Sequence, residues 1–597
     1  WQARVAPKLS DTTIPNLLPN QGTRPHLQID FLDDTSKVMH VRVTRQWQPQ
    51  GWPVVANFPP GGPQLLAADL DGDGKKDVVW AGGDSVLSDT SLAARAAVRD
   101  SAALFCVRFD GHGIAGADTF DFARLDQRPR PEVAAWQYPF GDVAMATTYH
   151  YGATDVVGGK LWAVQANGTN QPGFPLTLPS PASTPPIVVT ISGSTWPVVA
   201  VGSEDGRVRL VNVITPDGIV LTTPVAAAGG ITGRLAFAPN STGSGGLLAV
   251  GAANGDVVVL SFDATQATEV GRWAVGQPGG GFAPDFLWVN LGGAGADGTP
   301  ACADGNPTLI VHDRDRVHAF CVGSGSELPG WGAPFGDTLV AGLGAGDADG
   351  DGFPEVLVQT IHGRLAFLNA SGHPSPGWPR AGSNENFVTN TPPLAVDLTG
   401  DGHPEVVALN ASGVIAALDG AGRTPDGWPL ATGVGCAGTT IAADLDGDGT
   451  PEIVAPDRFN KLYAYSVPGT LSPPATSWTM LGGNPGRTCA LAPGATSSPG
   501  PPTAGPLVSG SFKAYPNPAR RKPVQFAYQL TEDATVEFNI LDTSGHQVAR
   551  WTRSGRRSDN YEVWDPSGVP AGLYVARVRF SGPGGSHTES VPVGILR

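Results

Sequence analysis

The sequence predicts an all-β chain, an eight-bladed (alternatively seven-bladed) β-propeller followed by a small β-sandwich, on three observations. A nine-residue acidic motif occurs four times, and each copy opens into a short run rich in Val and Ile. In the clearest stretch the motif recurs with a Gly-Trp signature: Trp331, Trp378 and Trp428 lie 47 and 50 residues apart, and Asp347, Asp397 and Asp444 lie 50 and 47 apart. A repeat of that length, holding four short strands, is the period of a propeller blade. Gly 80 and Pro 55, with charged residues held to 15%, imply many turns and few long helices. At 597 residues the chain exceeds one ordinary domain unless it is a closed repeat structure.

Residues 1–50 read as an irregular extension, with an alternating strand near 38–48 expected to complete the last blade and close the ring. The propeller is expected over 51–490. Its clearest units run from the acidic loop through a buried strand, a Gly turn, a second strand and a second Gly turn to the Gly-Trp. One such unit has Glu355-Val356-Leu357-Val358, Leu365-Ala366-Phe367-Leu368 and Gly377-Trp378-Pro379. Weaker units lack the acidic loop and fall near 133–175, 183–215, 229–263 and 283–333. Closure of such a ring removes exposed sheet edges. Residues 491–506 form a Pro/Gly linker. From 507 to 597, alternating runs such as Thr535-Val536-Glu537-Phe538 and Tyr574-Val575-Ala576-Arg577 predict the sandwich.

The acidic loops carry the chemistry. Their carboxylates are Asp69, Asp71, Asp73 and Asp77; Asp347, Asp349, Asp351 and Glu355; Asp397, Asp401 and Glu405, with Thr399 in place of an acid; and Asp444, Asp446, Asp448 and Glu452. Side chains at the first, third and fifth positions converge only if the chain curls tightly, which the intervening glycines permit. Acids held so close repel one another, and an oxygen-only set favours a hard cation, Ca2+, with about four structural sites expected. The last acid stands at position nine and begins a strand. An EF-hand would place it at position twelve, between helices.

These loops, each feeding a Val/Ile strand, resemble FG-GAP (VCBS-type) propeller repeats, strongly over about 338–470 and at 64–80. The resemblance implies that the sixteen loop residues named above are calcium ligands. The C-terminal segment resembles the Ig-like sorting domain of type IX secretion, similar also to the flagellar hook-cap module. It does so through Tyr515-Pro516-Asn517-Pro518, Trp564-Asp565 and Pro570-Ala571-Gly572-Leu573-Tyr574, although it ends in a short basic Ile595-Leu596-Arg597. Together these resemblances imply a secreted or surface protein of a bacterium. The chain begins at Trp1, as expected of a processed mature chain.

A formal charge of −16 argues against nucleic acid and against an anionic membrane surface, and four divalent ions would halve it. No apolar run reaches the ~20 residues of a membrane-spanning helix. Residues 506–597 carry 11 Lys/Arg and 8 Asp/Glu, a net +3 that leaves −19 on the rest, so an acidic ring and a basic module could dock head to tail. Of the five cysteines, Cys302–Cys321 and Cys436–Cys489 are candidate disulfides with Cys106 free; the alternative is that all five are small buried hydrophobes.

No catalytic constellation emerges. His362, His373 and His403 read as turn residues, and Asp313 and Asp315 alternate with Arg314 and Arg316 as a salt-bridged edge. Trp52, Trp331, Trp378 and Trp428 read as packing elements at blade junctions. Trp136, Tyr138, Tyr149, His150 and Tyr151 are the candidates for an exposed contact. The expected function is a non-catalytic extracellular or cell-surface scaffold. Its partners are other proteins, copies of itself in a filament or coat included. The alternative is a glycan-binding adhesin, or a calcium-dependent polysaccharide lyase with its base in a central channel.

Overall fold

Short apolar runs between glycine turns become strands almost everywhere in the computed structural model. It describes residues 8–596 except for a set of loops: 11–26, 32–40, 83–101, 190–197, 293–300, 382–390, 492–506 and shorter stretches that include 138–140, 349–352 and 400–402. The chain is all-β and divides into two compact units, residues 1–495 and 496–597.

Among the described residues of the first unit, eight antiparallel sheets follow one another in a propeller-like series. Seven of them are meanders of four strands in chain order, the second carrying an extra short strand, Arg128–Pro129; the eighth takes its fourth strand from the start of the chain. The first sheet is built from Leu66–Ala68, Asp77–Gly82, Ala103–Val107 and Asp121–Arg124. First strands of neighbouring sheets pack side by side, and the series returns on itself where Ile441–Ala443 of the eighth sheet lies against Leu66–Ala68. The strands that follow the acidic loops, Asp77–Gly82, Glu355–Gln359, Glu405–Leu409 and Glu452–Pro456, are buried along their whole length. They lie between neighbouring sheets, so both faces must be apolar, and each fully buried Val or Leu contributes roughly 1.5–3 kcal/mol.

The Gly-Trp signature explains how the series closes. Trp378-Pro379 precedes the outer strand Arg380–Ala381 of the sixth sheet, and Trp428-Pro429 precedes Leu430–Ala431 of the seventh. Trp52-Pro53 precedes Val54–Val55, which pairs with Lys461–Ser466 as the outer strand of the eighth sheet. The closing strand is thus 54–55 and not the expected 38–48. Val41–Arg45 pairs instead with Leu27–Phe31 in a separate three-stranded sheet with Lys8–Ser10. The buried indoles of Trp52, Trp331 and Trp378 each donate to a carbonyl on the following sheet, of Phe109 (2.8 Å), Ala370 (3.0 Å) and Gly420 (2.8 Å). These tryptophans are junction pins, as the sequence suggested.

Cys302 and Cys321 form a disulfide that ties the loop before the second strand of the fifth sheet to its third strand. The expected Cys436–Cys489 bridge does not form. Burial pushes these thiols up, to about 11 and about 12 respectively.

The second unit has a three-stranded sheet (Lys513–Tyr515, Val524–Gln529, Asp559–Trp564) and a five-stranded one. The latter contains Ala534–Asp542, Gln547–Gly555, Gly572–Gly582 and Gly585–Leu596, with Ala519–Arg520 joined in parallel at its edge. Alternate residues from both enter one core, with Val524, Phe526 and Trp564 from the first and Phe538, Val578 and Phe580 from the second.

Candidate metal centre

The first and fourth acidic loops are fully described and adopt the same hydrogen-bond pattern. Asp69 accepts from the amides of Gly72 (Oδ1, 2.8 Å) and Gly74 (Oδ2, 3.0 Å), and Asp444 accepts from Gly447 (2.8 Å) and Gly449 (3.0 Å) in the same way. Asp71 accepts from Asp73 N and Asp73 from Lys75 N; Asp446 accepts from Asp448 N and Asp448 from Thr450 N. The curl requires left-handed backbone at Gly72 (φ 74°), Gly74 (φ 85°), Gly447 (φ 79°) and Gly449 (φ 88°), which a Cβ would strain. The two loops are neighbours, since the Lys76 amide donates to the Leu445 carbonyl (2.9 Å).

This curl brings together one oxygen each from Asp69, Asp71 and Asp73, within 4.8 Å of one another, and likewise from Asp444, Asp446 and Glu452. The ninth-position acid is buried in every loop: Asp77, Glu355, Glu405 and Glu452 are each no more than 3% exposed. One of its oxygens accepts the amide of the second residue, Leu70, Ala348, Leu398 or Leu445. Glu452 Oε1 is buried and makes no hydrogen bond of acceptable geometry among the described residues. Burial pushes its carboxyl up to about 7, against the opposing pull of the Leu445 amide and the Ser466 hydroxyl; Asp77 is likewise pushed up to about 7. A buried carboxylate with an unused oxygen beside two further acids fits a hard cation, which would supply the missing partner.

Of the other predicted ligands, Asp347, Glu355, Asp397, Thr399 and Glu405 occupy the same positions in the second and third loops. Thr399 Oγ1 donates to Glu405 (3.2 Å) and so points inward where an acid stands elsewhere. Asp349, Asp351 and Asp401 lie outside the described residues.

Sequence reasoning missed the middle of the first unit. Residues 477–491 run past the first strands of the sheets and bond to them in turn. Amides of Ala395, Ala442, Ala135, Val188, Phe237 and Trp288 donate to the carbonyls of Trp478, Thr479, Pro485, Gly486, Thr488 and Cys489, at 2.7–3.1 Å. Those strands belong to the seventh, eighth, second, third, fourth and fifth sheets. Trp478 lies against Gly344 of the sixth, and Arg487 reaches the Leu65 carbonyl beside the first. Gly486 must be glycine here, because a Cβ would come within 2.7 Å of the Val188 carbonyl. Around this segment sits a buried ionic belt. Arg234 pairs with Glu132 (2.8 Å) and Asp285; Asp285 also accepts from Gly342 N (2.8 Å) and lies 3.6 Å from His312.

The remaining sequence candidates have local roles. Trp136 is buried in the core rather than exposed. Tyr149 lies under the Arg130 guanidinium, 4.4 Å from ring centre to Cζ. Tyr138 and the side chains of His150 and Tyr151 lie outside the described residues. His362 meets Asp337 (2.6 Å) and His373 meets the Ser371 carbonyl (2.9 Å). Asp313 pairs with Arg316 across a tight turn that holds Asp315, with Arg316 bonded to the Gly332 carbonyl.

The FG-GAP-like repeat family matches residues 397–455, which begin at the third acidic loop and end in the strand after the fourth. No curated protein matches the chain. Among solved structures, the chain is similar to BBS1N from a complex with ARL6DN at 12% identity, covering 71% of this chain and 97% of that one, TM-score 0.36. It is similar to the computationally designed Ika8 protein at 12% identity, covering 70% and 100%, TM-score 0.41. A third is Sqt1 from Chaetomium thermophilum, at 14% identity, 58% and 84% coverage and TM-score 0.39.

Proposed function

We propose that the chain is a non-catalytic, calcium-stabilised scaffold that works outside a bacterial cell through protein–protein contacts, contacts between its own copies included. In this reading the eight sheets are eight blades and the acidic loops take up to four calcium ions. The C-terminal unit is an Ig-like module for export or docking, of the type IX sorting kind.

The observation that carries the scaffold reading is the segment 477–491. A ring enzyme or channel-binding protein would present its working groups from the innermost strands. Here the amides at the inner ends of those strands bond to the chain's own backbone. The division of charge, +3 over residues 506–597 against −19 elsewhere, supports contacts between the basic module of one copy and the acidic propeller of another. Negative-stain microscopy of the purified chain, with calcium and with chelator, is the test. Ordered polymers in calcium are expected, and monodisperse single particles at high concentration would sink the self-assembly reading.

One observation favours the glycan-binding alternative. A cavity of about 270 Å³ opens between the first acidic loop and the second sheet, lined by Asp71, Asp142, Gln165, Asn167 and Gln171. Carboxylates and amides of this kind suit a sugar's hydroxyls. Calcium-dependent retention on a glycan array, lost in Asn167→Ala, would support that reading over the scaffold.

A further inference from the structure

The four acidic motifs are alike in their carboxylates but not in what stands opposite them. The strand register fixes the comparison. Val78 pairs with Val107, Val356 with Leu368, Val406 with Leu418 and Ile453 with Tyr465. The next residue along, which faces the ninth-position acid, is therefore Arg108 for the first loop, Asn369 for the second, Asp419 for the third and Ser466 for the fourth. Arg108 turns into its loop. Its Nη2 donates to Asp73 Oδ2 at 2.6 Å and its Nε lies 3.4 Å from Asp71 Oδ2, with the side chain only 24% exposed. These are the third- and fifth-position acids, two of those whose mutual repulsion a bound cation would relieve.

We propose that Arg108 is the built-in counter-cation of the first loop, so that this loop folds without a metal ion while the fourth depends on one. This rests on the calcium reading above and divides the four motifs into two kinds. Two further observations support it. The first loop alone has basic residues at its seventh and eighth positions, Lys75 and Lys76, where the others have Phe353-Pro354, His403-Pro404 and Thr450-Pro451. Three basic residues thus accompany its four carboxylates; Arg108 pairs with two of them, and Lys75 is held over the Phe109 ring, 3.6 Å from its centre. In the fourth loop no ion pair to Asp444, Asp446, Asp448 or Glu452 forms among the described residues, and Glu452 Oε1 makes no hydrogen bond of acceptable geometry there. A divalent ion and a guanidinium satisfy the same oxygens, and both cannot occupy them at once. The third loop has Thr399 where the first has Asp71, and opposite it stands Asp419, which pairs with Arg423 (2.9 Å) in its own turn.

The test is a count of calcium ions per full-length chain, by equilibrium dialysis and elemental analysis, on the wild type, Arg108→Ser and Ser466→Arg. Circular dichroism in calcium checks that each variant is folded. Arg108→Ser should bind one ion more than the wild type and should lose more thermal stability on chelation. Ser466→Arg should bind one ion fewer. A wild type that binds calcium and an Arg108→Ser variant that binds the same number would overturn the proposal and leave the calcium reading standing. No calcium on any of the three would overturn both.

Discussion

Arg487 donates a 2.7 Å hydrogen bond to the carbonyl oxygen of Leu65, a residue 422 positions earlier in the chain. The same guanidinium donates to the carbonyls of Val133 (3.0 Å) and Leu481, so one fully buried side chain ties the central segment to the entrances of the first two sheets. Among the described residues no carboxylate forms an ion pair with it. Burial lowers its pKa to about 10, with the Glu132 carboxylate opposing the shift and Arg234 adding to it, so it remains charged at neutral pH.

That geometry makes Arg487 a stability residue. Arg487→Met keeps much of the volume but leaves three buried carbonyls short of a donor. Hydrogen bonds from a charged donor are worth roughly 1.5–3 kcal/mol each and do not add simply, so a loss of about 3 kcal/mol or more is expected. Urea unfolding followed by tryptophan fluorescence measures it. An unchanged midpoint would mean that the central segment is held by its backbone bonds alone.

The belt around that segment sets an acid limit. Burial raises the Asp285 carboxyl, but Arg234, His312 and the Gly342 amide outweigh it and hold the group well below the usual carboxylate range. A carboxyl depressed in the folded state contributes stability that is complete above its unfolded value, near 4, and is lost as pH falls through the folded value. Asp285→Asn should therefore cost about 3–5 kcal/mol at pH 7, because it leaves Arg234 with one buried partner fewer. The gap between variant and wild type should narrow steadily below pH 4. Denaturation midpoints collected from pH 7 down to pH 2 would show a constant gap if Asp285 were not the group responsible.

The acidic loops and the tryptophan pins were legible because each is a local device. Asp444 and Gly447 do their work within nine residues, and Gly377-Trp378-Pro379 announces its own turn and the strand after it. Residues 477–491 carry no such mark. Their sequence alternates with neither a helical nor a strand period, and their partners, from Leu65 to Ala442, are scattered over nearly the whole first unit. Arg108 was missed for the same reason, since it enters the first loop from a strand 35 residues beyond Asp73. The closing strand was misplaced by a few residues because Val41–Arg45 alternates more convincingly than the two-residue Val54–Val55. Only the Trp52-Pro53 beside the latter identifies it.

The pins themselves can be tested one atom at a time. Trp378→Phe keeps a ring in the pocket beside Phe367 but removes the donor to the Gly420 carbonyl. A loss of about 1 kcal/mol is expected for that hydrogen bond, against roughly 3–5 kcal/mol for Trp378→Ala, which also empties the pocket. Equal losses for the two variants, in thermal or urea unfolding, would show that the indole nitrogen contributes nothing to the junction.

Metal dependence should divide by loop as well as by chelation. With calcium present, Asp446→Ala removes one oxygen from the set formed by Asp444, Asp446 and Glu452, and leaves the other three loops whole. The melting temperature should fall by a few degrees, since about 1 kcal/mol moves the midpoint by less in a larger domain. Added chelator should lower the wild type by more than this and should shrink the difference between the two proteins, because the fourth loop is then empty in both. Binding to the native state alone raises stability with the logarithm of ion concentration, so the wild-type midpoint should climb with calcium over the millimolar range typical of extracellular sites. Differential scanning fluorimetry across a calcium series measures all three. A wild-type melt indifferent to calcium and chelator alike would remove the metal from these loops and leave the buried Glu452 to be explained as a protonated acid.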